Sequence, residues 1–230
     1  AMTLPTLLAN YRKNQAVTQL KKAYSEINQA IKLSEAENGE LSGWLFEDTP
    51  ESKDKFANDY FMKYFRIIKK CKPSNENCFS KVSNINGVPI TYVNNPNEGM
   101  TSFITASGYS VLFWVHGTGN GAWIYVDIDG PLKGEGKFGK DIFLFQMQFD
   151  ENFTLSGEAV QGCEKIGLFP AGLCVKNPPT RESLKTGTGN LPQGLNIMGC
   201  SKEISGSYAG GLCGALIMID GWQIKDDYPW

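Results

Sequence analysis

Apolar residues at the start of the chain repeat with the spacing of one helix face. From Leu4 the apolar positions follow an i, i+3, i+4, i+7 spacing, with Lys, Gln, Asn and Ser between them. Pro5 suits a helix start or kink because it lacks an N–H, and Gly39 suits the left-handed residue that ends a helix. The pattern therefore predicts an amphipathic helix over residues 1–37. Its apolar stripe consists of Leu4, Leu7, Leu8, Tyr11, Leu20, Ala23, Tyr24, Ile27, Ala30 and Ile31.

A second helical pattern covers residues 52–71. Its aromatic residues recur at helical spacing between Phe56 and Phe65, and its cations gather toward the C-terminal end, where they complement the helix dipole. We interpret it as a short helix that packs on the core and exposes a basic face. A DNA-binding patch is the alternative. That patch would consist of Lys63, Arg66, Lys69, Lys70, Lys72 and Lys81.

From residue 82 onward the spacing changes to that of strands. Aromatic and β-branched runs cover residues 102–106, 110–115, 122–127 and 141–149. The glycine-rich segment 116–121 separates two of these runs and is typical of a hairpin turn. Helices first and strands later indicate an α+β protein with an antiparallel sheet.

These patterns predict one domain, made of a helix and a globular head. The head, residues 38–230, follows the helix of residues 1–37. Within the head we expect the second helix at 52–71, the antiparallel sheet at 82–155, a long loop at 156–200 and a C-terminal strand region at 201–230. The loop is rich in Gly, Pro and Asn, and the apolar run 214–224 predicts the final strand.

The six cysteines fall into three local pairs. Nearest-neighbour pairing predicts the disulfides Cys71–Cys78, Cys163–Cys174 and Cys200–Cys213, although other pairings stay open. A zinc site is the rival interpretation, but zinc sites favour closer cysteine spacing and histidine partners, and the sequence holds one histidine, His116. Disulfides are typical of an oxidising compartment. The net charge of −2 argues against a nucleic-acid binder, which needs a basic footprint.

Four acidic residues are the best metal-ligand candidates. Asp127, Asp129, Glu135 and Asp141 lie among glycines and could supply the oxygen ligands that calcium prefers. The EF-hand spacing fails here, because residues 131 and 132 are Pro and Leu. The alternative is a solvated hairpin whose aspartates cap turns. Calcium is therefore a candidate cofactor, and no other cofactor is expected.

Other candidate chemistry is sparse. His116 could act as a general base, but no serine or cysteine partner accompanies it, and the common hydrolase, metalloprotease and phosphate-loop motifs do not occur. Asp226 and Asp227, flanked by aromatic residues, could bind a sugar or a partner, or could belong to a terminal strand that covers the core. The sequence therefore predicts a protein that is not an enzyme.

Several segments resemble bacterial prepilin-like proteins, the type IV pilins and the pseudopilins of type II secretion. The similar segments are residues 3–13, 18–31, 126–130, 137–143 and 220–230. The resemblance implies a pilin-like fold, with a long N-terminal helix packed on an antiparallel sheet and disulfide-stapled loops. It raises the expectation of calcium, which some pseudopilins bind. It also assigns the helix to filament assembly through Leu4, Leu7, Leu8, Tyr11, Leu20, Tyr24, Ile27 and Ile31.

One departure from the family concerns the start of the chain. The Gly-Phe-Thr-Leu-x-Glu start and the apolar helix behind it are absent, so we expect a truncated N-terminal membrane segment, with about 20 further apolar residues encoded upstream. No anchoring or docking role is transferred to any residue here. Expected partners are other pilin or pseudopilin subunits, the inner-membrane assembly machinery and, through the missing segment, the membrane. The expected location is the cell surface or an extracellular filament, with membrane anchoring before assembly.

Three functions follow as hypotheses. The first is a structural subunit of a type IV pilus or type II secretion-like filament, as a pilin, minor pilin or pseudopilin. The second is a surface adhesin that holds a glycan or a protein through its aromatic β-sheet and disulfide-closed loops, which is compatible with the first. The third is an enzyme with cysteine or histidine chemistry. If all six thiols are blocked to alkylation under non-reducing conditions, a cysteine nucleophile is excluded.

Overall fold

The structure, a computed structural model, describes residues 4–44, 46–47, 49–71, 78–91, 93, 100–115, 121–149, 164–191 and 194–230. The α-helices are α1 (Leu4–Asn38), α2 (Pro50–Phe56), α3 (Arg181–Thr186) and α4 (Cys213–Ile219). The strands are β1 (Ile67–Cys71), β2 (Val82–Ser83), β3 (Pro89–Ile90), β4 (Met100–Thr105), β5 (Ser110–Val115), β6 (Gly121–Asp127), β7 (Gly136–Lys137), β8 (Ile142–Gln148) and β9 (Gly167–Pro170).

Helix α1 confirms the predicted N-terminal helix over its described residues. It runs for 35 residues without interruption, and Pro5 lies in its first turn, where a missing N–H costs nothing. Gly39 ends the helix with φ of +85° and donates its N–H to the carbonyl of Glu35 at 3.0 Å. At a rise of 1.5 Å per residue, the helix is about 50 Å long.

A six-stranded sheet forms the centre of the head. Its strand order is β1-β4-β5-β6-β8-β9, and all neighbours pair antiparallel. The four strand-like sequence runs form its central strands. Residues 116–120 of the predicted hairpin turn lie outside the described residues, but β5 and β6 on either side pair as predicted. Every residue of β6 and β8 is buried because the sheet is covered on both faces.

Helix α1 packs on one face of this sheet. The ring of Tyr24 stacks on Phe145 of β8 at a centroid distance of 5.5 Å, and the Glu26 carboxylate accepts a hydrogen bond from the Tyr109 hydroxyl at 2.9 Å. On the opposite face, Tyr125 of β6 lies 6.2 Å from the ring of Phe138. The predicted α+β class, with a long helix on an antiparallel sheet, is confirmed.

A second, small sheet flanks the first. Its strand order is β3-β2-β7, and β2 pairs parallel with β7. The prediction of one antiparallel sheet over residues 82–155 did not include this parallel pair. Conversely, β1 and β9 join the main sheet from outside that range.

The second predicted helix, 52–71, is too long. Helix α2 continues through a π-helical turn at Ala57–Phe61 and a 3₁₀ turn at Met62–Tyr64, and the chain then forms the edge strand β1. The β-branched pair at the start of β1 favours strand, and the exposed lysines that follow are typical of a protected sheet edge.

The predicted final strand over 214–224 is wrong, because the run forms helix α4. Residues from Cys213 to Ile217 are completely buried on all sides of this helix. A short run that is apolar on every side has no periodicity that separates a strand from a helix. The helix ends at Ile219, and Gly221, two residues later, has φ of +76°.

The predicted loop over 156–200 contains regular structure in its described part. It holds β9, which pairs with β8, and the short helix α3. The Thr180 hydroxyl caps α3 by accepting from the Ser183 N–H at 3.1 Å, and Gly187 ends it with φ of +73°. Thr180 and Gly187 are recognisable helix boundary residues in the sequence, so this helix could have been predicted.

The disulfides follow the predicted local pairing. Cys71 bonds to Cys78, Cys200 bonds to Cys213, and none of the described cysteines is free. Cys174 is also disulfide-bonded, and its predicted partner, Cys163, lies outside the described residues. These bonds join β1 to the following segment and α4 to the loop before it.

Candidate functional site

Helix α1 has two halves with different surroundings. We call residues 4–15 the stem. Its apolar side chains are exposed, with exposed fractions of 70% for Leu4, 49% for Leu7 and Leu8, and 65% for Tyr11. From Ala16 onward the apolar side chains lie on roughly the opposite side of the helix from those of the stem, at about 100° per residue, and they are buried against the head. Its buried residues are Ala16, Leu20, Ala23, Ile27, Ala30, Ile31 and Ser34.

The predicted assembly stripe is therefore divided between the two halves. Leu20, Ile27 and Ile31 are core residues, and half-buried Tyr24 contacts β8 and β9, where its hydroxyl donates to the Leu168 carbonyl at 3.4 Å. The four residues Leu4, Leu7, Leu8 and Tyr11 make up the exposed part, which is the part that remains available to a partner. Within the described part of the chain, no helix is both long enough and apolar enough to span a bilayer.

A basic groove lies where the stem meets the head. This junction groove has a volume of about 710 Å³ and is bounded by α1, by the segment 128–141 and by Trp230. Two acidic side chains, Asp129 and Asp141, also line it. Its five cationic side chains are Arg12, Lys133, Lys137, Lys140 and Lys202. The positive charges therefore exceed the negative charges in the groove.

The four candidate calcium ligands do not form one site. Asp129 and Asp141 line the junction groove, whereas Glu135 lines a separate cavity beside Lys81. In the described part of the chain, no group of three or more His, Cys, Asp or Glu side chains could hold a metal ion. The structure therefore gives the calcium prediction no ligand set.

Asp127 instead has the role of a turn cap. Its carboxylate is fully buried and accepts hydrogen bonds from the Ser80 hydroxyl at 2.6 Å and the Gly130 N–H at 3.1 Å. Burial, and then the neighbouring Asp129, raise the pKa of Asp127 to about 7, although the Ser80 and Gly130 bonds oppose this. The pKa of Asp141 is also raised by burial and by Asp129. This geometry fits the alternative in which aspartates hold the turn.

The acidic residues near Trp230 belong to an internal ion-pair network. Arg181 binds Asp220 at 2.7 Å and Asp227 at 2.6 Å, and Lys185 binds Asp227 at 2.8 Å. Burial opposes ionisation of Asp220, but hydrogen bonds from Arg181 and Lys225 outweigh it and lower the pKa of Asp220. Hydrogen bonds from Arg181 and Lys185 lower the pKa of Asp227. Asp227 is thus a structural partner of α3 although its side chain is 46% exposed, and Asp226 is exposed as well.

Tyr228 fastens this last segment to the wall of the junction groove. Its ring is buried, and its hydroxyl donates a hydrogen bond to the carbonyl of Gly139, next to Lys140. Burial raises the pKa of Tyr228 well above its usual value. The tyrosine therefore stays a neutral donor that positions the loop carrying Lys140.

We expect Tyr228→Phe to destabilise the protein by about 1–2 kcal/mol, because the buried Gly139 carbonyl loses its donor. Urea denaturation with the disulfides intact measures this change. Tyr11→Phe is the matched control, since Tyr11 is 65% exposed, and it should leave the free energy of unfolding unchanged. Equal stabilities of the Tyr228→Phe variant and the parent would contradict this anchoring role.

The predicted alternative sites receive less support. Lys63 pairs with Glu37 at 2.7 Å and Lys70 with Asp54 at 3.5 Å, so part of the basic patch is neutralised within the fold. Lys72 and His116 lie outside the described residues. The aromatic residues of the sheet are largely core residues, with Phe113 and Tyr125 almost completely buried. The sheet face therefore offers little aromatic surface to a glycan, which leaves only the loops for an adhesin role.

Comparison with known protein families gives a match over more than half of the chain. A family model described as a family of unknown function (DUF6613) matches residues 6–152, which include most of α1 and strands β1 to β8. No curated protein matches the chain. No solved structure matches it.

Proposed function

Because the chain belongs to DUF6613, a family of unknown function, we propose its role from the geometry, namely a structural subunit of a pilin-type filament. The filament is a type IV pilus or a related assembly of the type II secretion kind. The subunit assembles through α1 and displays the head at the surface. The protein performs no catalysis in this role.

The single observation that carries this proposal is the division of α1 into two halves. From Ala16 the head buries one apolar face of the helix. The stem carries its own apolar face, on roughly the opposite side of the helix at about 100° per residue, and the head does not cover it. The stem stripe remains in solvent, with Leu4 at 70% exposure. Apolar side chains aligned on a protruding helix gain free energy when another surface covers them. In a filament subunit, lipid covers these side chains before assembly. The stems of neighbouring subunits cover them after assembly.

The disulfides support an extracellular location. Cys71–Cys78 and Cys200–Cys213 each close a short loop in the head. Such bonds persist in oxidising compartments and on cell surfaces. They also suit a subunit that must remain folded outside the cell.

A cysteine cross-linking experiment in the host that carries the gene tests the assembly role. Leu8→Cys places a thiol on the stem, and Leu33→Cys places one on the same helix beside the head. Both leucines are 49% exposed, so the two variants match in helix and in accessibility. None of the described cysteines is free, which keeps the background low.

We expect a short bismaleimide to form covalent dimers of the Leu8→Cys protein in filaments sheared from the cell surface. The Leu33→Cys protein should give few dimers in the same fraction. Absence of the protein from sheared surface material, or equal dimer yields from both variants, would contradict the filament role.

A further inference from the structure

Most cations of the junction groove lack a hydrogen-bonded partner among the described residues. The side chains of Arg12, Lys133, Lys137 and Lys140 make no hydrogen bond or ion pair with the described residues, and Lys202 donates only to the main-chain oxygen of Trp230 at 3.1 Å. A protein of net charge −2 that concentrates five cations in one groove has a local positive field there. The two carboxylates of the groove, Asp129 and Asp141, offset part of it.

An exposed apolar side chain lies directly beside these cations. Leu132 occupies the middle of the 3₁₀ turn Pro131–Lys133 and is 94% exposed, the highest exposure among the large apolar residues that the structure describes. Gly130 and Gly134, with φ of +76° and +109°, bound this turn and allow it to project. An exposed leucine followed directly by a lysine, with Lys137 and Lys140 close in the sequence, is typical of a surface that meets both acyl chains and headgroups.

The position of the groove on α1 indicates which surface this is. Arg12 lies between the exposed stem stripe, which ends at Tyr11, and the buried stripe, which begins at Ala16. The cations therefore lie at the level where α1 leaves the head. If the stem stripe is covered by lipid, this level coincides with the headgroups of the bilayer.

We propose that the junction groove and Leu132 form a docking surface for anionic phospholipid headgroups. The proposal rests on the proposed function, because it concerns the subunit before assembly, while lipid still covers the stem. The groove cations bind headgroup phosphates, Leu132 enters the acyl boundary, and the head is held upright on the membrane. The charge complementarity of the groove favours a phosphate-bearing surface over a neutral one.

Vesicle flotation of the 230-residue protein tests this docking. Vesicles of phosphatidylethanolamine with about 30 mol% phosphatidylglycerol supply the anionic surface, and pure phosphatidylcholine vesicles supply the neutral one. We expect the protein to bind the anionic vesicles about 10-fold more tightly, with the difference lost in high salt because screening weakens exposed charges. Equal binding to both vesicle types, or no binding to the anionic ones, would overturn the proposal.

Two triple variants separate the groove from overall charge. K133E/K140E/K202E reverses three groove cations, and K32E/K55E/K69E makes the same charge change elsewhere, on α1 far from Arg12, on α2 and on β1. We expect only the groove variant to lose the about 10-fold preference for anionic vesicles. Equal losses in both triples would assign binding to net charge and overturn the groove site. Circular dichroism and disulfide mapping show whether each variant is folded.

Two further experiments distinguish a lipid headgroup from free inorganic phosphate as the ligand. Leu132→Ser should weaken vesicle binding several-fold while keeping the salt dependence. Inorganic phosphate, added at constant ionic strength, should not displace the protein from vesicles; displacement would identify a site for the free ion instead. If docking fails while Leu8→Cys still cross-links in filaments, the filament role stands and this inference falls. The reverse result would separate lipid binding from assembly.

Discussion

Replacement of Leu20 by alanine is expected to destabilise the protein by about 2–5 kcal/mol, because Leu20 is completely buried between α1 and the head. The substitution removes apolar contacts and leaves a cavity that the packed helix–sheet interface closes only partly. Alanine keeps α1 helical, so the loss reports packing and not helix propensity. Urea denaturation, followed by circular dichroism with the disulfides intact, measures the change in the free energy of unfolding.

The stem supplies the control for this experiment. Leu8 lies on the same helix but is 49% exposed, so Leu8→Ala should change the free energy of unfolding by less than about 0.5 kcal/mol. The same Leu8→Ala substitution should reduce the amount of filament at the cell surface. A large loss of stability in Leu8→Ala would mean that the stem packs on the head, and it would remove the main support for the filament proposal.

The sequence predicts α1 and the central strands well because their environments leave a periodic record. One face of α1 meets the sheet and the other meets solvent, so apolar and polar residues alternate at helical spacing. Strands β4, β5, β6 and β8 contain β-branched and aromatic runs between turn residues. Local cysteine spacing likewise agrees with the two described disulfides.

The elements that were mispredicted lack such a record. Helix α4 consists of apolar residues and glycine and is buried from Cys213 to Ile217, so its sequence shows no helical period. In β1 the helical spacing of the preceding residues continues to Ile68, yet Ile68 is 68% exposed. Pairing with β4 decides this segment, and a tertiary contact of that kind cannot be read from local spacing.

The junction groove could not be predicted because its residues are distant in the chain. Arg12, the segment 128–141, Lys202 and Trp230 meet only after α1 packs on the sheet and Tyr228 fastens the last segment. The sequence did indicate that the residues around Asp127 matter. Read alone, however, the aspartates predict either a metal site or turn caps, and the local spacing assigns no role to the lysines between them, which dominate the groove.

Replacement of Asp127 by asparagine is expected to make the protein more stable at pH 8. In the unfolded chain an aspartate ionises with a pKa of about 4, whereas burial and Asp129 raise the pKa of folded Asp127 to about 7. A raised folded pKa means that the stability contributed by the protonated form is fully present below about pH 4 and is lost as the pH rises toward 7. Above pH 7 the folded protein must hold a buried negative charge next to Asp129.

Asparagine is neutral at every pH and can still accept one of the two hydrogen bonds, from Ser80 or Gly130, that the carboxylate accepts. We therefore compare the free energy of unfolding of the Asp127→Asn variant with that of the parent. We expect this difference to shift in favour of the variant by about 1–3 kcal/mol when the pH is raised from 5 to 8. Urea denaturation at the two pH values gives this difference directly. The raised pKa of Asp141 affects the parent and the variant alike, so it cancels in the comparison.

Asp226→Asn is the matched control, because it makes the same chemical change at an exposed carboxylate. It should show no difference from the parent between the two pH values. If Asp127→Asn instead destabilises the protein equally at pH 5 and pH 8, the hydrogen bonds from Ser80 and Gly130 stabilise an ionised carboxylate. Asp127 would then carry a permanent negative charge behind the junction groove, and the positive field proposed to attract lipid phosphates would be weaker by that charge.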